Sequence, residues 1–467
     1  MKNFIYILLT LLFLQTQVQA FNVVYPKNTY QKINSPSTFF VGSVEQGEEL
    51  YINGIPIELH YSGAFAKSVL LKNGQNIFVL KSSMGEEKKY VIERPLIGVN
   101  YKKAEYNQFE TPLIVEVSRN GAPIRTTAVQ SGINRLAHYK NGMVLSAIGE
   151  LGDMYKVELS PQNYVWIAKS DVKNSKQNYD KAILYNYKKQ QNKKEYIYKF
   201  ALSKQTPYSI EENGNLSLKI YNVVANKNDV AQFSFVLNQK LMGYSAEYSG
   251  NTLVVKIKKE PKLNKKLPLK NVKIVIDAGH GGSEQGAISC LGNPEKEFNL
   301  SISKYLEHEL KAMGATVYMT RHFDRFVSLN NRVKYTNDKN AQIFVSIHAN
   351  SLPDNKNPLE HRGSGVYYYY DEAKPLSESI INTVCKNMAV RNNGIHQASF
   401  AVVRNTSAVS VLVETAYVIN PDDNSLLIDD DFKRKYAASV AEGIKNYVLQ
   451  QNKVAIFRKN KIKFIKG

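Results

Sequence analysis

The chain has 467 residues, of which 43% are hydrophobic and 22% are charged, so it can bury a core and is not disordered throughout. Lys and Arg number 61 against 41 Asp and Glu, and the net charge of +20 favours a polyanionic partner. Two cysteines, without a Cys-x-x-Cys pair, exclude a disulfide-stapled scaffold and the common cysteine-based zinc sites. At roughly 100–200 residues per domain, two to four domains are expected.

Residues 1–20 have the pattern of a secretory signal peptide. Lys2 precedes an apolar run over residues 4–14, and the stretch ends in Val18-Gln19-Ala20, a small-residue cleavage site. The run is short for a membrane span, which needs about 20 apolar residues, although an uncleaved anchor is the alternative. We therefore expect an exported protein, in the periplasm or the extracellular cell wall, without stable membrane insertion after cleavage. Export also removes nucleic acid as the polyanionic partner.

The part of the chain before residue 272 has the pattern of small β modules, since short alternating segments are separated by Gly, Asn, Pro and Ser. In the first module, Asn53-Gly54 and Asn73-Gly74 are predicted hairpin turns, and an immunoglobulin-like sandwich fits the pattern. The predicted division is a small β domain at 21–105, a second β module at 106–174, a basic linker at 175–195, a third β module at 196–260 and a lysine-rich linker at 261–271.

Two of these modules resemble wall-associated domains. Residues 106–174 are similar to bacterial SH3-like barrels, through Pro123-Ile124-Arg125-Thr126, Gly142-Met143-Val144-Leu145 and Trp166-Ile167. Residues 196–260 resemble the AMIN type of wall-targeting domain, through Phe200-Ala201-Leu202 and Gly243-Tyr244. We expect residues 21–271 to tether the chain to the wall, because they carry no catalytic cluster and their linkers are basic. Trp166, the single tryptophan, is expected to be a core aromatic rather than a ligand platform.

Residues 272–450 have a different pattern, in which apolar strands alternate with amphipathic helices. This alternation predicts an α/β domain with an open, mostly parallel twisted sheet flanked by helices. The fold class is therefore multidomain, with all-β modules followed by one α/β domain. Residues 451–467 are expected to be a basic C-terminal tail. The predicted strands lie at 272–276, 316–320, 343–347, 366–370 and 409–413.

Three polar groups follow the predicted strands of this domain. His280 comes shortly after the first strand, His348 directly after the third and Glu414 directly after the last. The carboxyl ends of parallel strands meet at one edge of an open sheet, where ligands bind. A single histidine at such a position is common, but three groups together indicate a site.

Glu295 is the fourth candidate. Asn293 is predicted to cap a helix whose first residue is Pro294, which places Glu295 in the first turn. There Glu295 either complements the helix dipole or binds a metal ion with the two histidines. Two imidazoles and a carboxylate suit a hydrolytic Zn²⁺ site, and Glu414 would then transfer protons. Non-haem iron uses the same ligand types, but its usual short His-x-Asp pair is missing.

The motifs of this domain resemble the zinc-dependent N-acetylmuramoyl-L-alanine amidases of the Amidase_3 family. The matching strings are Asp277-Ala278-Gly279-His280-Gly281-Gly282, Glu295-Lys296, Ser346-Ile347-His348-Ala349-Asn350 and Leu412-Val413-Glu414. The resemblance implies hydrolysis of the amide between N-acetylmuramic acid and L-alanine in peptidoglycan. It also implies that His280, Glu295 and His348 bind Zn²⁺, and that Glu414 is the catalytic carboxylate.

Three further residues are candidates for substrate binding or for support of the ligands: Arg404, Asp277 and Asn350. Arg404 either holds Glu414 or substrate, or forms a structural ion pair. Asp277 either orients a metal ligand or simply ends its strand. Asn350 ends the motif that contains His348.

Several alternatives stay open at this point. A zinc peptidase acting on the stem peptide, or a catalytically inert wall-binding protein, would carry a similar pattern. Some family members insert a regulatory helix after the second histidine, whereas only residues 351–365 separate His348 from the next predicted strand here. The site is therefore expected to be open, and the need for a cell-division or wall-associated activator is undecided. Cys290 and Cys385 could pair in an oxidising compartment.

Overall fold

The computed structural model describes residues 20–96, 104–212, 216–224, 229–237, 239, 241–262 and 264–455. The predicted signal peptide, apart from Ala20, lies outside the described residues, as does the tail beyond residue 455. Within the described ranges, no helix is long and apolar enough to cross a membrane.

The N-terminal module, residues 20–96, contains two sheets, ordered β1-β3-β6 and β2-β8-β7-β4-β5, around one apolar core. Asn53-Gly54 forms the predicted hairpin turn, with both residues at positive φ. The second predicted hairpin is wrong, because Gly74 begins a strand that lies in the other sheet from the strand before it. Its strands are β1 (Phe21–Tyr25), β2 (Tyr30–Lys32), β3 (Ser37–Val44), β4 (Leu50–Ile52), β5 (Ile55–Pro56), β6 (Ala64–Leu70), β7 (Gly74–Ser82) and β8 (Glu87–Arg94).

The second module is one seven-stranded sheet, ordered β11-β10-β14-β13-β12-β9-β15. Trp166 is half-buried and packs edge-to-face on Tyr106, with 6.2 Å between ring centroids. Val165 and Ile167 enter the apolar core instead, since alternate residues of a strand face opposite sides. The expectation of a core tryptophan is therefore wrong. The strands are β9 (Tyr106–Val117), β10 (Ala122–Arg125), β11 (Arg135–Tyr139), β12 (Val144–Leu151), β13 (Met154–Ser160), β14 (Asn163–Ala168) and β15 (Val172–Asn174).

The third module begins earlier than the sequence indicated. Residues 182–191 form a strand, which pairs with the following strand at seven positions. The prediction of a basic linker at 175–195 is therefore wrong for most of its length. Most side chains of this strand are exposed, which explains why its lysines gave it the composition of a linker. The strands are β16 (Ala182–Gln191), β17 (Glu195–Leu202), β18 (Tyr208–Glu212), β19 (Leu216–Tyr221), β20 (Val223–Val224), β21 (Val230–Phe235), β22 (Tyr244–Ser249) and β23 (Thr252–Lys258).

The C-terminal domain has a six-stranded mixed sheet, ordered β25-β24-β26-β29-β27-β28. Four neighbouring pairs are parallel, and β27 runs antiparallel to β29. The strands are β24 (Lys273–Ala278), β25 (Thr316–Met319), β26 (Ile343–Asn350), β27 (Ser364–Tyr368), β28 (Asn392–Gln397) and β29 (Val409–Tyr417). The helices are α1 (Glu295–Ala312), α2 (Leu329–Asp338), α3 (Lys374–Asn387), α4 (Pro421–Ile428) and α5 (Asp430–Ala455), with short 3₁₀ turns at Lys169–Asp171, Asp371–Ala373 and Ala401–Val403.

Alternate residues of the central strands support cores on both faces of this sheet. Ile274 and Ile276 face the large core that contains α1, α3 and α5, whereas Val275 and Phe344 face a smaller core on the other side. Helix α2 was not predicted, because it has no apolar stripe. The residues that it buries are the polar residues Arg332 and Thr336. Helix α5 extends to Ala455, so the predicted tail begins inside a helix.

The N-terminal module packs against the segment that follows β26. The hydroxyls of Tyr25 and Thr38 both donate to Oδ1 of Asp354, at 2.6 and 2.7 Å. Phe39 and Ala66 belong to the same buried cluster as the C-terminal sheet and its helices. Module and domain therefore share a continuous apolar core at the carboxyl edge of the sheet.

The third module contacts the opposite edge of the same sheet. The Lys258 ammonium donates to the carbonyl oxygens of Ala341 and Ser407, which precede β26 and β29. The backbone N–H of Tyr244 donates to the carbonyl of Thr406 at 2.6 Å. Burial lowers the pKa of Lys258 to about 8.

We expect Lys258→Met to lower the free energy of unfolding by about 1–3 kcal/mol, because the buried carbonyl of Ala341 and the half-buried carbonyl of Ser407 lose their donor. Between pH 8 and about 10.4, the unfolded chain binds more protons at Lys258 than the native chain does, so this residue makes wild-type stability rise with pH. The gap between wild type and variant should therefore widen across that window. Chemical denaturation at several pH values measures both effects. Lys256→Met, at an exposed position of the same strand, is the control; equal losses in the two variants would contradict the role of Lys258.

Candidate metal centre

The first candidate ligand lies in a tight loop after β24. His280 has a positive φ of 57°, and Gly279 packs directly against the His348 ring, so that a Cβ on Gly279 would overlap the ring. His348 itself lies within β26 rather than after it, because that strand continues to Asn350. The glycine thus allows the loop to place the two imidazoles beside each other. Their ring centroids are 5.0 Å apart.

Glu295 bridges the two histidines. Its Oε2 lies 3.2 Å from Nε2 of His280, and its Oε1 lies 2.9 Å from Nδ1 of His348. One ligand atom from each of the three residues lies within 4.8 Å of the others. The side chain of Glu295 is 5% exposed, against 30% for His280 and 17% for His348. The structure therefore brings together all three residues that the sequence grouped.

Helix α1 begins one residue later than predicted. Pro294 occupies the N-cap position with extended backbone, no side chain caps the helix, and Glu295 is its first residue. The Glu295 N–H instead donates to the carbonyl of Ala287 at 2.8 Å, and Ile288 and Pro294 form an isolated β-bridge. The predicted capping role of Asn293 is wrong, because the incoming loop itself satisfies the first N–H of the helix.

The Glu295 carboxylate also accepts hydrogen bonds from the loop before α1, from α1 itself and from β26. The Ala287 N–H donates to Oε2 at 3.0 Å, while the Asn299 amide and the Ala349 N–H donate to Oε1 at 3.0 and 3.2 Å. Burial opposes ionisation of Glu295, but the hydrogen bonds from His280 and His348 outweigh it and lower the pKa of this carboxyl. Burial likewise opposes protonation of His348, but Glu295 outweighs it and raises the pKa of the imidazole. The triad is thus a compact anion–imidazole cluster.

Glu414 lies beside this triad, on the neighbouring strand. It is aligned with His348 in the β26–β29 ladder and lies within β29, because that strand continues to Tyr417 instead of ending at the predicted residue 413. Its Oε2 is buried and, among the described residues, has no hydrogen-bond partner. Burial raises the pKa of Glu414 to about 7. Glu414 is therefore suited to exchange a proton near neutral pH.

The triad and Glu414 line a cavity of about 510 Å³. Asn350 also lines it, so the structure places this candidate at the site, and its Oδ1 accepts from the Ser351 N–H at 2.8 Å. Glu284 and Phe400 line the cavity as well, although neither was among the predicted site residues. The segment between β26 and β27 contains no helix, so no inserted helix covers the cavity.

A buried ion pair supports the loop that carries His280. Asp277 Oδ1 accepts from Arg332 Nη1 at 2.6 Å, and the same guanidinium donates to the carbonyls of Ala278 and His280 at 2.8 and 2.9 Å. Thr320 and Ser346 complete the hydrogen bonds of the Asp277 carboxylate. Asp277 thus acts on His280 through Arg332 and the backbone. Arg332 was missing from the predicted site, because its pairing with Asp277 joins residues 55 positions apart and leaves no local signal in the sequence.

Arg404 lies apart from Glu414. Its guanidinium donates to the carbonyl and to the hydroxyl of Ser399, and no described hydrogen bond or ion pair joins it to Glu414. Burial lowers the pKa of Arg404, and the nearby Arg135 of the second module adds to this effect. A pairing of Arg404 with Glu414 is therefore not seen.

Cys290 and Cys385 are both free.

The arrangement has the parts of a hydrolytic centre: a group of three potential ligands, a buried carboxyl with an open oxygen, and a cavity for substrate. The donor set of two imidazoles and one carboxylate fits zinc, which prefers such ligands and leaves a position for water in hydrolytic sites.

The Amidase_3 family, described as N-acetylmuramoyl-L-alanine amidase, matches residues 274–446. The probable cell wall amidase LytH of Staphylococcus saprophyticus is 35% identical over 212 residues, which are 45% of this chain and 68% of the relative. LytH of Staphylococcus aureus is 35% identical over 184 residues, 39% of this chain and 60% of the relative, so the match spans less than two thirds of that protein. The solved N-acetylmuramoyl-L-alanine amidase AmiC2 of Nostoc punctiforme is 40% identical, covers 38% of this chain and 97% of its own, and gives a TM-score of 0.37.

We expect His348→Ala to reduce zinc affinity by more than about 100-fold, because even loss of a group that only orients a ligand costs 10–100-fold. Zinc content after dialysis against graded chelator measures this, and the melting temperature checks folding. His308→Ala, which removes an 81% exposed histidine from α1, is the control. Zinc retention equal to wild type in the His348 variant would contradict the ligand assignment.

Proposed function

The chain belongs to the N-acetylmuramoyl-L-alanine amidase family, and we propose that it is an exported enzyme that cleaves the amide between N-acetylmuramic acid and L-alanine in peptidoglycan. The observation that carries this proposal is the unpartnered Oε2 of Glu414, which is buried in the cavity beside the His280–Glu295–His348 cluster. A buried carboxyl without a hydrogen-bond partner is costly, and its position beside three potential metal ligands in a cavity supports a chemical role.

His280, Glu295 and His348 would hold Zn²⁺, since their donor atoms already converge and a chain of hydrogen bonds fixes Glu295. When bound, zinc supplies a Lewis acid that polarises the amide carbonyl and makes water a better nucleophile. The residues around the cluster hold its geometry. Asn299 orients Glu295, while Arg332 fixes the His280 backbone, which limits the reorganisation that the reaction requires.

Glu414 is the proton-transfer group in this proposal. Its open Oε2 accepts a proton from the attacking water, and the same oxygen returns the proton to the L-alanine amine as the amide bond breaks. Burial favours both steps, because a carboxyl with a pKa of about 7 can gain and lose a proton near neutral pH. No described cation pairs with Glu414 to prevent this exchange.

Peptidoglycan is both the substrate and the partner that best suits the basic chain. The net charge of +20 attracts wall polymers that carry carboxylates or phosphates. Export through the N-terminal signal would bring the enzyme to this substrate. The second module is still only predicted to be SH3-like, and the third to be AMIN-like. Their role in wall attachment is also a prediction.

Digestion of purified peptidoglycan tests the reaction class. Mass spectrometry should find intact glycan strands and released peptides with a free L-alanine amino terminus. Cleavage inside the stem peptide would instead favour the zinc peptidase, and an unchanged wall in the presence of zinc would favour the inert wall-binding protein. Either result would overturn the amidase proposal.

We expect Glu414→Gln to keep the fold and bound zinc while turnover falls by ~10²–10⁴, since glutamine preserves the shape but cannot accept the proton. Dye release from labelled peptidoglycan, zinc content and melting temperature are measured on one preparation. Glu378→Gln, at an exposed position of α3, is the matched control and should behave as wild type. Near-normal dye release from folded, zinc-loaded Glu414→Gln would refute the proton-transfer role.

A further inference from the structure

A second groove lies between the N-terminal module and the C-terminal domain, with a volume of about 240 Å³. Val24, Tyr25, Lys27 and Phe39 line it from the module. From the C-terminal domain, the loop at 286–288 and the segment at 351–354 line it, together with Ile419. The groove therefore exists only where the two parts of the chain meet.

This groove adjoins the metal cavity. Ser351 lines both, and it follows directly after Asn350 at the end of the strand that carries His348. On the other side, Ala287 lines the groove while its N–H donates to the Glu295 carboxylate. The segments at 286–288 and 351–354, which adjoin the triad, therefore also form one side of the groove, and this side lies next to the cavity that would hold the reacting amide.

The opposite wall is fixed in position by the N-terminal module. Tyr25 and Thr38 both donate to Asp354, and the Tyr25 and Phe39 rings pack with 5.0 Å between centroids. Burial raises the pKa of Tyr25 to about 12, so this hydroxyl remains a donor at neutral pH. Ser68 adds a hydrogen bond to Asn357 at 3.2 Å. The module is thus held against the groove by specific contacts rather than by a flexible tether.

The lining indicates the ligand. Val24, Phe39 and Ile288 offer apolar contact, while Lys27 is an exposed cation. Within the described residues, no carboxylate forms an ion pair with Lys27, and Asp354 already accepts two hydrogen bonds from the module. Small apolar side chains next to a carboxylate satisfy this combination, whereas an uncharged sugar would leave the cation unpaired.

We propose that this groove binds the stem peptide of the substrate and that Lys27 pairs with a peptide carboxylate. This proposal rests on the proposed function, which supplies the peptide. It gives the N-terminal module a direct part in substrate binding, in place of a remote attachment role alone. Lys27 is then a specificity-determining residue that touches no reacting atom.

Calorimetric binding to the full zinc-loaded chain tests the proposal without turnover. The probes are the stem tetrapeptide with free carboxylates and its fully amidated counterpart. Lys27→Glu should weaken binding of the first by about 3- to 10-fold at low salt, because attraction becomes repulsion, and should leave binding of the second unchanged. Lys81→Glu, at an exposed position of β7 that does not line the groove, is the control and should bind as wild type.

Equal binding of the free-carboxylate peptide by wild type and Lys27→Glu would overturn the proposal, as would absence of binding to all three proteins. Release of peptide from peptidoglycan is measured alongside. Cleavage by wild type without a Lys27 effect on binding would remove the groove assignment and leave the amidase function standing. Lys27-dependent binding without cleavage would keep the groove assignment and remove the amidase function.

Discussion

The buried ion pair between Asp277 and Arg332 is the interaction on which the catalytic edge depends. The two side chains are 1% and 3% exposed and lie 2.6 Å apart. Removing one partner of such a pair typically costs 3–5 kcal/mol, because a charge is left buried without compensation. Here the guanidinium also holds the backbone of Ala278 and His280, so the pair fixes the direction in which the first loop leaves the sheet. The position of the His280 imidazole is thereby set by contacts to its backbone rather than by contacts to its ring.

Two carboxyl groups at the same edge have pKa values shifted in opposite directions. Glu295 is held ionised by its neighbours although it is nearly fully buried, whereas Glu414, on the strand beside His348, has its pKa raised by burial. Two carboxyls close to one histidine therefore differ in protonation because only one of them receives hydrogen bonds. Such a separation of pKa values is the usual way in which an active site assigns different roles to chemically identical groups.

The sequence predicted the metal-ligand candidates and the catalytic carboxylate of this edge better than the residues that hold them in place. His280, His348 and Glu414 follow apolar runs, and parallel strands necessarily bring their carboxyl ends together, so their meeting could be expected. Arg332 could not, because its helix has no apolar stripe and long-range pairing with Asp277 leaves no local signal. Strand β16 was missed for a related reason: most of its side chains are exposed, so its pairing with β17 leaves little apolar pattern in the sequence. Periodicity detects burial, and these elements bury little that is apolar.

The packing of Phe39, Val41, Ala64 and Ala66 into the core of the C-terminal domain changes how the chain can be divided. These four residues lie more than 200 positions before the sheet they cover, so the boundary near residue 272 separates segments of sequence but not folding units. An amidase domain excised at that boundary would present to water the surface that the four residues now cover, with a corresponding tendency to self-associate. Exchange of the N-terminal module among related enzymes would therefore have to include its apolar contact face. Modular order along the sequence therefore does not imply that the N-terminal module and the C-terminal domain are structurally independent.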